Sequence, residues 1–300
     1  MILILEQYPN TLTDKLAETL NERGLTFLRL TPSDIIYKLN ISFNLNNEVC
    51  YSEMNYDSLH FSSDDLSGVY SEIDRFPNES LSFFSNRDAE YAINEWHSFW
   101  FNILKSLNCP IVNPPNMEAL GGTLLSPVEL FDSARKHGLN IQTIVEVESG
   151  NVAAEFIGGK SRLSYIDLGC EYCIERPLHT EIVELQQVDH QIRLREHFVG
   201  NITHIALIGD QPFSIQWNDH EKKFTNFNLS DFPSDLFDNL MELHKSMNLI
   251  VADYQFISSV DGEWFFSGLV RHITEETLAL HGEIIINAIV DLISGKEKTL

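Results

Sequence analysis

Short apolar runs and amphipathic stretches alternate from the first residues of the chain. Met1–Leu5 is an unbroken apolar run before turn residues, the pattern of a strand buried on both faces. Over Leu12–Arg23 the apolar spacing becomes helical: Leu16 and Leu20 share a face, Thr13 or Asp14 caps the start, and Gly24 stops the end. Thr26–Leu30 forms a second strand. Strand, helix and strand within thirty residues make a βαβ unit, which predicts a parallel sheet with a right-handed crossover. From Ile41 to Phe84 the pattern weakens into short strands among Asn, Ser and Asp. A helix resumes over Ser85–Leu107, with Trp96, Phe99, Trp100 and Ile103 on one stripe that reads as core. Cys109–Val112 is a further short strand, and the paired prolines of Asn113-Pro114-Pro115 mark a domain boundary.

Ser126-Pro127-Val128-Glu129 has a capping serine, a proline suited to the first helical position and a capping-box glutamate, so a helix runs from here to His137, before Gly138. Ile141–Val147, Val152–Ile157 and Leu163–Leu168 follow as strands of a small α+β unit. Beyond it, Gln191–Val199 and Thr203–Ile208 read as two strands joined by a tight Gly200-Asn201 turn, with Pro212–Trp217 as a third. Pro233–Met247 is a helix; Ile250–Ser258 and Glu263–Phe266 form a hairpin around Asp261-Gly262, a dipeptide favoured in type I′ turns; Ile284–Ile293 lies in a closing helix. The expected organisation is an α/β, parallel-sheet N-terminal domain over 1–115, a central α+β domain over 116–190 and a C-terminal α+β domain over 191–300.

Hydrophobic residues make up 43% of the 300-residue chain, ample for packed cores, which argues against disorder. Twenty Lys+Arg stand against 44 Asp+Glu, a net charge of −24. That surplus argues against nucleic acid or an anionic membrane as partner, since phosphate contacts need clustered cations. No stretch approaches the roughly 18–20 apolar residues of a membrane span, the opening residues lack the pattern of a signal peptide, and four cysteines in this length make no disulfide framework. A cytoplasmic protein is the expectation.

Few motifs carry chemistry by themselves. Gly121-Gly122-Thr123 is a lone glycine pair, read as a flexible linker rather than a phosphate cradle. Cys170-x-x-Cys173 has the spacing of half a zinc site, but the second half is missing. His190, His197 and His204 are spaced so that they do not converge, and no G-x-S-x-G elbow is present.

Several local strings nevertheless stand out: the opening MILIL, Asn21-Glu22-Arg23-Gly24, Ile111-Val112-Asn113-Pro114-Pro115, Ala134 to Leu139, Gln191-Ile192-Arg193-Leu194 with Val199-Gly200, and Asp261-Gly262-Glu263-Trp264-Phe265-Phe266. Together they resemble those of the ATP-grasp superfamily, in particular the microviridin-type peptide-maturation ligases. The resemblance implies an ATP-grasp-like fold whose domains form a cleft, and, in an active member, ATP and magnesium. It also places Pro127 where a nucleotide-binding lysine opens the central helix, and Tyr165-Ile166-Asp167 where a second lysine stands. Gln186-Gln187 occupies the adenine hinge, Gln255 a magnesium-ligating aspartate position, and Gly268 and Val270 the positions of a ligating Glu and Asn. Arg193 is the one phosphate contact retained, with Arg195 on the same strand face.

Gln, Gly and Val cannot replace the carboxylates that hold magnesium, and losing cations and metal together removes the electrostatic part of phosphoryl transfer. The expected reading is a degenerate, non-catalytic ATP-grasp-like protein without cofactor. It binds a peptide, or partners an active paralogous ligase, through a cleft containing Arg193, Arg195, Gln186, Gln187, Asp253 and Gln255. Two alternatives stand beside it: an active ATP- and magnesium-dependent carboxylate–amine ligase with its metal ligands relocated to Asp253 and Glu263, and a structural partner with a filled cleft. Tyr91 and Phe101 fall off the aromatic stripe of their helix, which points to a homo- or heterodimer through the N-terminal half.

Overall fold

A computed structural model describes residues 1–45, 50–77, 84–142, 144–147, 163–167, 175–177, 192–196 and 200–295. The N-terminal part is built on a parallel sheet of β1 (Ile2–Leu5), β2 (Phe27–Leu30), β6 (Gly68–Ser71) and β7 (Ile111–Val112), in the order β2-β1-β6-β7. All four residues of β1 are buried, as the apolar run requires of a central strand. Between β1 and β2 runs α1 (Thr11–Glu22), capped by Asn10 in a box with Thr13; the cap expected at Thr13 or Asp14 lies one turn earlier. A short helix, α2 (Pro32–Tyr37), starts at a Thr31–Asp34 capping box that the sequence reading passed over. β3 (Leu39–Leu45), β4 (Cys50–Tyr56) and β5 (Leu59–Ser62) form a separate antiparallel meander. α3 (Asn86–Ser106) then leads to β7, with Trp100 and Ile103 fully buried and Trp96 and Phe99 packed at the edge of the same core. Phe101 packs there too and carries the Lys105 ammonium 5.8 Å above its ring, so Tyr91 is the exposed one of the two off-stripe aromatics.

After α4 (Pro127–Lys136) come β8 (Ile144–Val147), β9 (Leu163–Asp167), β10 (Glu175–Pro177) and β11 (Ile192–Glu196), an antiparallel sheet in the order β10-β9-β11-β8. A five-stranded antiparallel sheet completes the chain, formed by β12 (Gly200–Ile208), β13 (Gln211–Asn218), β14 (Lys223–Asn226), β15 (Val251–Ser259) and β16 (Trp264–Val270). It carries α5 (Ser234–Ser246) and α6 (Glu275–Ile293). The Gly200-Asn201 turn is not formed: β11 pairs with β8 and β9, whereas β12 pairs with β13 and β15, so Gly200 opens a strand and β11 belongs to the central sheet rather than to the strands after 191. Nor is the β15–β16 turn type I′. Gly262 alone in that loop has positive φ, at 83°, and its amide donates to Ser259, the three-residue loop with a left-handed glycine that replaces a two-residue turn.

Among the described residues, three cores form. One lies between the parallel sheet, α3 and the meander; another between α4, α5 and one face of the five-stranded sheet. In the third, Ile2, Ile4 and Tyr70 of the parallel sheet meet Ala206, Ile208 and Val251 of the C-terminal sheet around the apolar side of α6. The N- and C-terminal parts therefore share a core, each buried Leu or Ile contributing about 1.5–3 kcal/mol. Among the described residues no helix is long and apolar enough to cross a membrane.

Candidate functional site

Two neighbouring strands of the parallel sheet send the chain to opposite faces. From β1 it turns to α1, which packs beside α6; from β6 it turns toward α3 on the other face. Such a divergence opens a crevice at the carboxyl ends of the strands, the usual ligand position in open α/β sheets. A cavity of about 530 Å³ lies there. The segment after β1 contributes Gln7, Tyr8 and Asn10 to its wall, the segment after β6 contributes Glu72 and Asp74, and the linker contributes Gly121 and Leu124. The opposite wall is the passage from β16 into α6, from Leu269 to Leu278.

Hydrogen bonds fix this wall. Gln7 ties the two loops: its Nε2 donates to the Arg75 carbonyl at 3.1 Å and its Oε1 accepts from the Asp74 amide at 3.1 Å. Glu72 receives the Tyr70 hydroxyl at 2.6 Å on one oxygen and Asn10 Nδ2 at 2.7 Å on the other. Burial pushes the Glu72 carboxyl up, against the Tyr70 hydrogen bond, nearby His272 and the Asn10 hydrogen bond, which pull it down. Arg271 reaches across from β16 to pair with Asp74, and its Nη1 donates to the Gly122 carbonyl at 3.2 Å. Thr11 donates to Glu275 at 3.4 Å, joining the starts of α1 and α6.

The linker is clamped, which corrects its reading as a flexible tether. Asn113, at φ 56°, places its side chain between both parts: Oδ1 accepts from the amides of Ile250 and Val251 at 2.9 and 2.8 Å, and Nδ2 donates to the carbonyls of Val251 and Arg271. Thr123 donates to the Met247 carbonyl at 2.7 Å. Gly121 and Gly122 turn carbonyls, not amides, toward the nearest cation, Arg271.

Of the residues expected in the cleft, the side chains of Asp253 and Gln255 are described. The positions that the resemblance aligned with magnesium ligands do come together: Gly268 lies opposite Gln255, and Val270 opposite Asp253, on one face of β15–β16. Gln255 accepts from Ser267 at 3.4 Å, at a bulge that shifts the register there. Asp253 is 1% exposed and both its oxygens are taken. Oδ1 meets His204 Nδ1 at 3.1 Å; Oδ2 accepts the Thr274 amide at 3.2 Å and the hydroxyls of Thr274 and Thr277 at 2.6 and 2.8 Å. Its carboxylate thus caps the start of α6. Magnesium needs one or two free carboxylates besides the nucleotide's phosphates, and this face, as built, has none to give. The relocated pair of the alternative reading is also not assembled. Glu263 sits exposed at the hairpin end of β16, opposite Ser259, whereas Asp253 lies six residues, roughly 20 Å, back along the neighbouring strand.

Arg193 and Arg195 occupy β11, opposite Glu146 and Ile144 of β8. Their side chains, and all of Gln186, Gln187, Cys170 and Cys173, lie outside the described residues. His204 meets Asp253, and His190 and His197 lie outside the described residues. Sequence reasoning missed Glu72, Asp74 and Arg271. The signal available was positional: polar residues directly after strands of a parallel sheet.

No protein-family model and no curated protein matches the chain. Solved structures do. The chain is similar to a RiPP-associated ATP-grasp ligase of Chryseobacterium gregarium in complex with ADP and a leader and core peptide, at 16% identity and TM-score 0.74 over 98% of this chain and 96% of that one. It is similar to the macrocyclase MdnC of Microcystis aeruginosa bound with precursor peptide MdnA, at 14% identity and TM-score 0.76 over 98% and 99%. The ATP-grasp ligase PsnB, complexed with precursor peptide PsnA2 and AMPPNP, matches at 12% identity and TM-score 0.72 over 97% of each chain. Along nearly its whole length, the chain therefore has the α/β fold of the ATP-grasp ligases and resembles the microviridin-type members among them.

Proposed function

We propose that this is a non-catalytic ATP-grasp-fold protein that binds a peptide in the cytoplasm, alone or beside an active ligase of the same fold. The observation that carries the reading is the β15–β16 face, where Gln255, Gly268 and Val270 stand together without a carboxylate and Asp253 is consumed as a helix cap. A triphosphate of about −4 on a protein of −24 needs local cations and metal to be tolerated. The peptide part of the reading draws on the three similar structures, which are complexes with precursor peptides. Isothermal titration with ATP, with and without magnesium, tests the loss of nucleotide chemistry. The expected result is no binding at micromolar ATP. Micromolar affinity that EDTA abolishes overturns the proposal and restores an active carboxylate–amine ligase.

A further inference from the structure

The cavity between the parallel sheet and the start of α6 has a charge imbalance that its own side chains do not settle. Glu72, Asp74 and Glu275 face Arg271 across it. The Arg271 guanidinium is already engaged by Asp74 and the carbonyls of Gly121 and Gly122. Glu72 is held by Tyr70 and Asn10 and Glu275 by Thr11, all neutral donors that orient a carboxylate without cancelling its charge. His272 and Tyr8 also line this wall. Leu124, Leu269 and Leu278 give the cavity an apolar side, opposed by the polar Gln7, Asn10 and Thr11. At about 530 Å³ the cavity falls within the range of roughly 300–1,000 Å³ typical of ligand sites, and it lies at the switch point of the sheet.

We propose that this cavity receives a lysine or arginine side chain of a bound peptide, its charged head between Glu72 and Glu275 and its methylene stem along Leu124, Leu269 and Leu278. A long cationic side chain suits a site that is apolar along one side and acidic at the end. The carboxyl of Glu72, pushed up by burial, is the kind of group that an incoming cation relieves. The overall charge of −24 steers a basic segment toward the protein before any contact forms. The assignment rests on the peptide-binding reading and names the chemistry of the residue bound.

Fluorescence anisotropy with a labelled pentapeptide, acetyl-Ala-Leu-Lys-Leu-Ala, tests it against the same peptide carrying Arg, norleucine or Glu in place of Lys. The Lys and Arg peptides bind at least tenfold tighter than the other two, and Glu72→Gln combined with Glu275→Gln lowers their affinity at least tenfold. Thr11→Arg is the second variant. Thr11 is exposed, so the substitution leaves the fold intact while setting a fixed cation against Glu275; it weakens the Lys peptide by a similar factor. Lys-peptide binding unchanged in both variants overturns the cavity assignment but leaves peptide binding standing. Equal or tighter binding of the norleucine or Glu peptide does the same. No binding of any of the four at millimolar concentration overturns the peptide reading itself.

Discussion

His244 shows how much one residue depends on its surroundings. It is 2% exposed on α5, and its Nδ1 hydrogen-bonds with the Tyr254 hydroxyl at 2.9 Å. Burial lowers its pKa to about 4, so the folded protein keeps it neutral while an unfolded chain protonates it near 6.5. Because the folded-state value is depressed, no penalty exists above pH 6.5. Below that pH the unfolded state takes up a proton that the native state refuses, and stability falls until about pH 4. The expected loss is roughly 2–3 kcal/mol between pH 7 and pH 4.5. Denaturant midpoints over that range for the wild type and His244→Gln check this: the variant has the flatter slope, and an unchanged slope refutes the assignment. Asp253 teaches the same lesson for function, since an aspartate beside expected metal positions turns out to be spent on Thr274, Thr277 and His204.

At the scale of elements, α6 is the piece on which the assembly turns. It closes the core shared by the two sheets, and its last turn presses on the parallel sheet so closely that a side chain at Gly68 would meet the Ile293 carbonyl at 1.9 Å. Its start is held by a carboxylate from another element, Asp253 on β15, because the side chain of the cap residue Thr274 bonds to Asp253 instead of to the helix's own amides. Asp253→Ala removes four hydrogen bonds and leaves buried donors unpaired, at a cost of about 2–4 kcal/mol. Denaturant unfolding reads the loss, and hydrogen exchange places it by faster exchange in the first turn of α6. A loss below about 0.5 kcal/mol removes the cap from the account. Three other helix starts, Asn10–Thr13, Thr31–Asp34 and Ser126–Glu129, are capping boxes written within four residues, of which the reading placed Ser126–Glu129, set the α1 cap one turn late and passed over Thr31–Asp34.

For the whole molecule, the parallel sheet, the shared core and the clamp of Asn113 make one continuous body of the N- and C-terminal parts. Pairing with a second copy or a paralogue would use the outer side of α3. Of its two off-stripe aromatics, Phe101 packs inward and Tyr91 is 68% exposed, which leaves that surface smaller than the aromatic count implied. Light scattering after size exclusion at tens of micromolar gives the outcome. A species of twice 34.3 kDa that Tyr91→Ser shifts to the monomer supports a homodimer, and a single 34.3 kDa species leaves only the heteromeric form.

What the sequence determined by itself is whatever a few neighbouring residues can encode: the buried run of β1, the βαβ opening, the Ser126-Pro127 helix start, and the α3 stripe with Trp100 at its centre. Its strings also carried the ATP-grasp resemblance that the fold bears out over 97% or more of the chain. Tertiary structure decided the rest. β11 joined the central sheet and β12 another because strand pairing depends on distant partners, and an alternating run looks the same in either. The cavity unites Gln7, Glu72 and Arg271, about 65 and 200 positions apart in the chain. No local pattern records such a meeting, since it arises only when a parallel sheet, a linker and the start of α6 pack around one crevice.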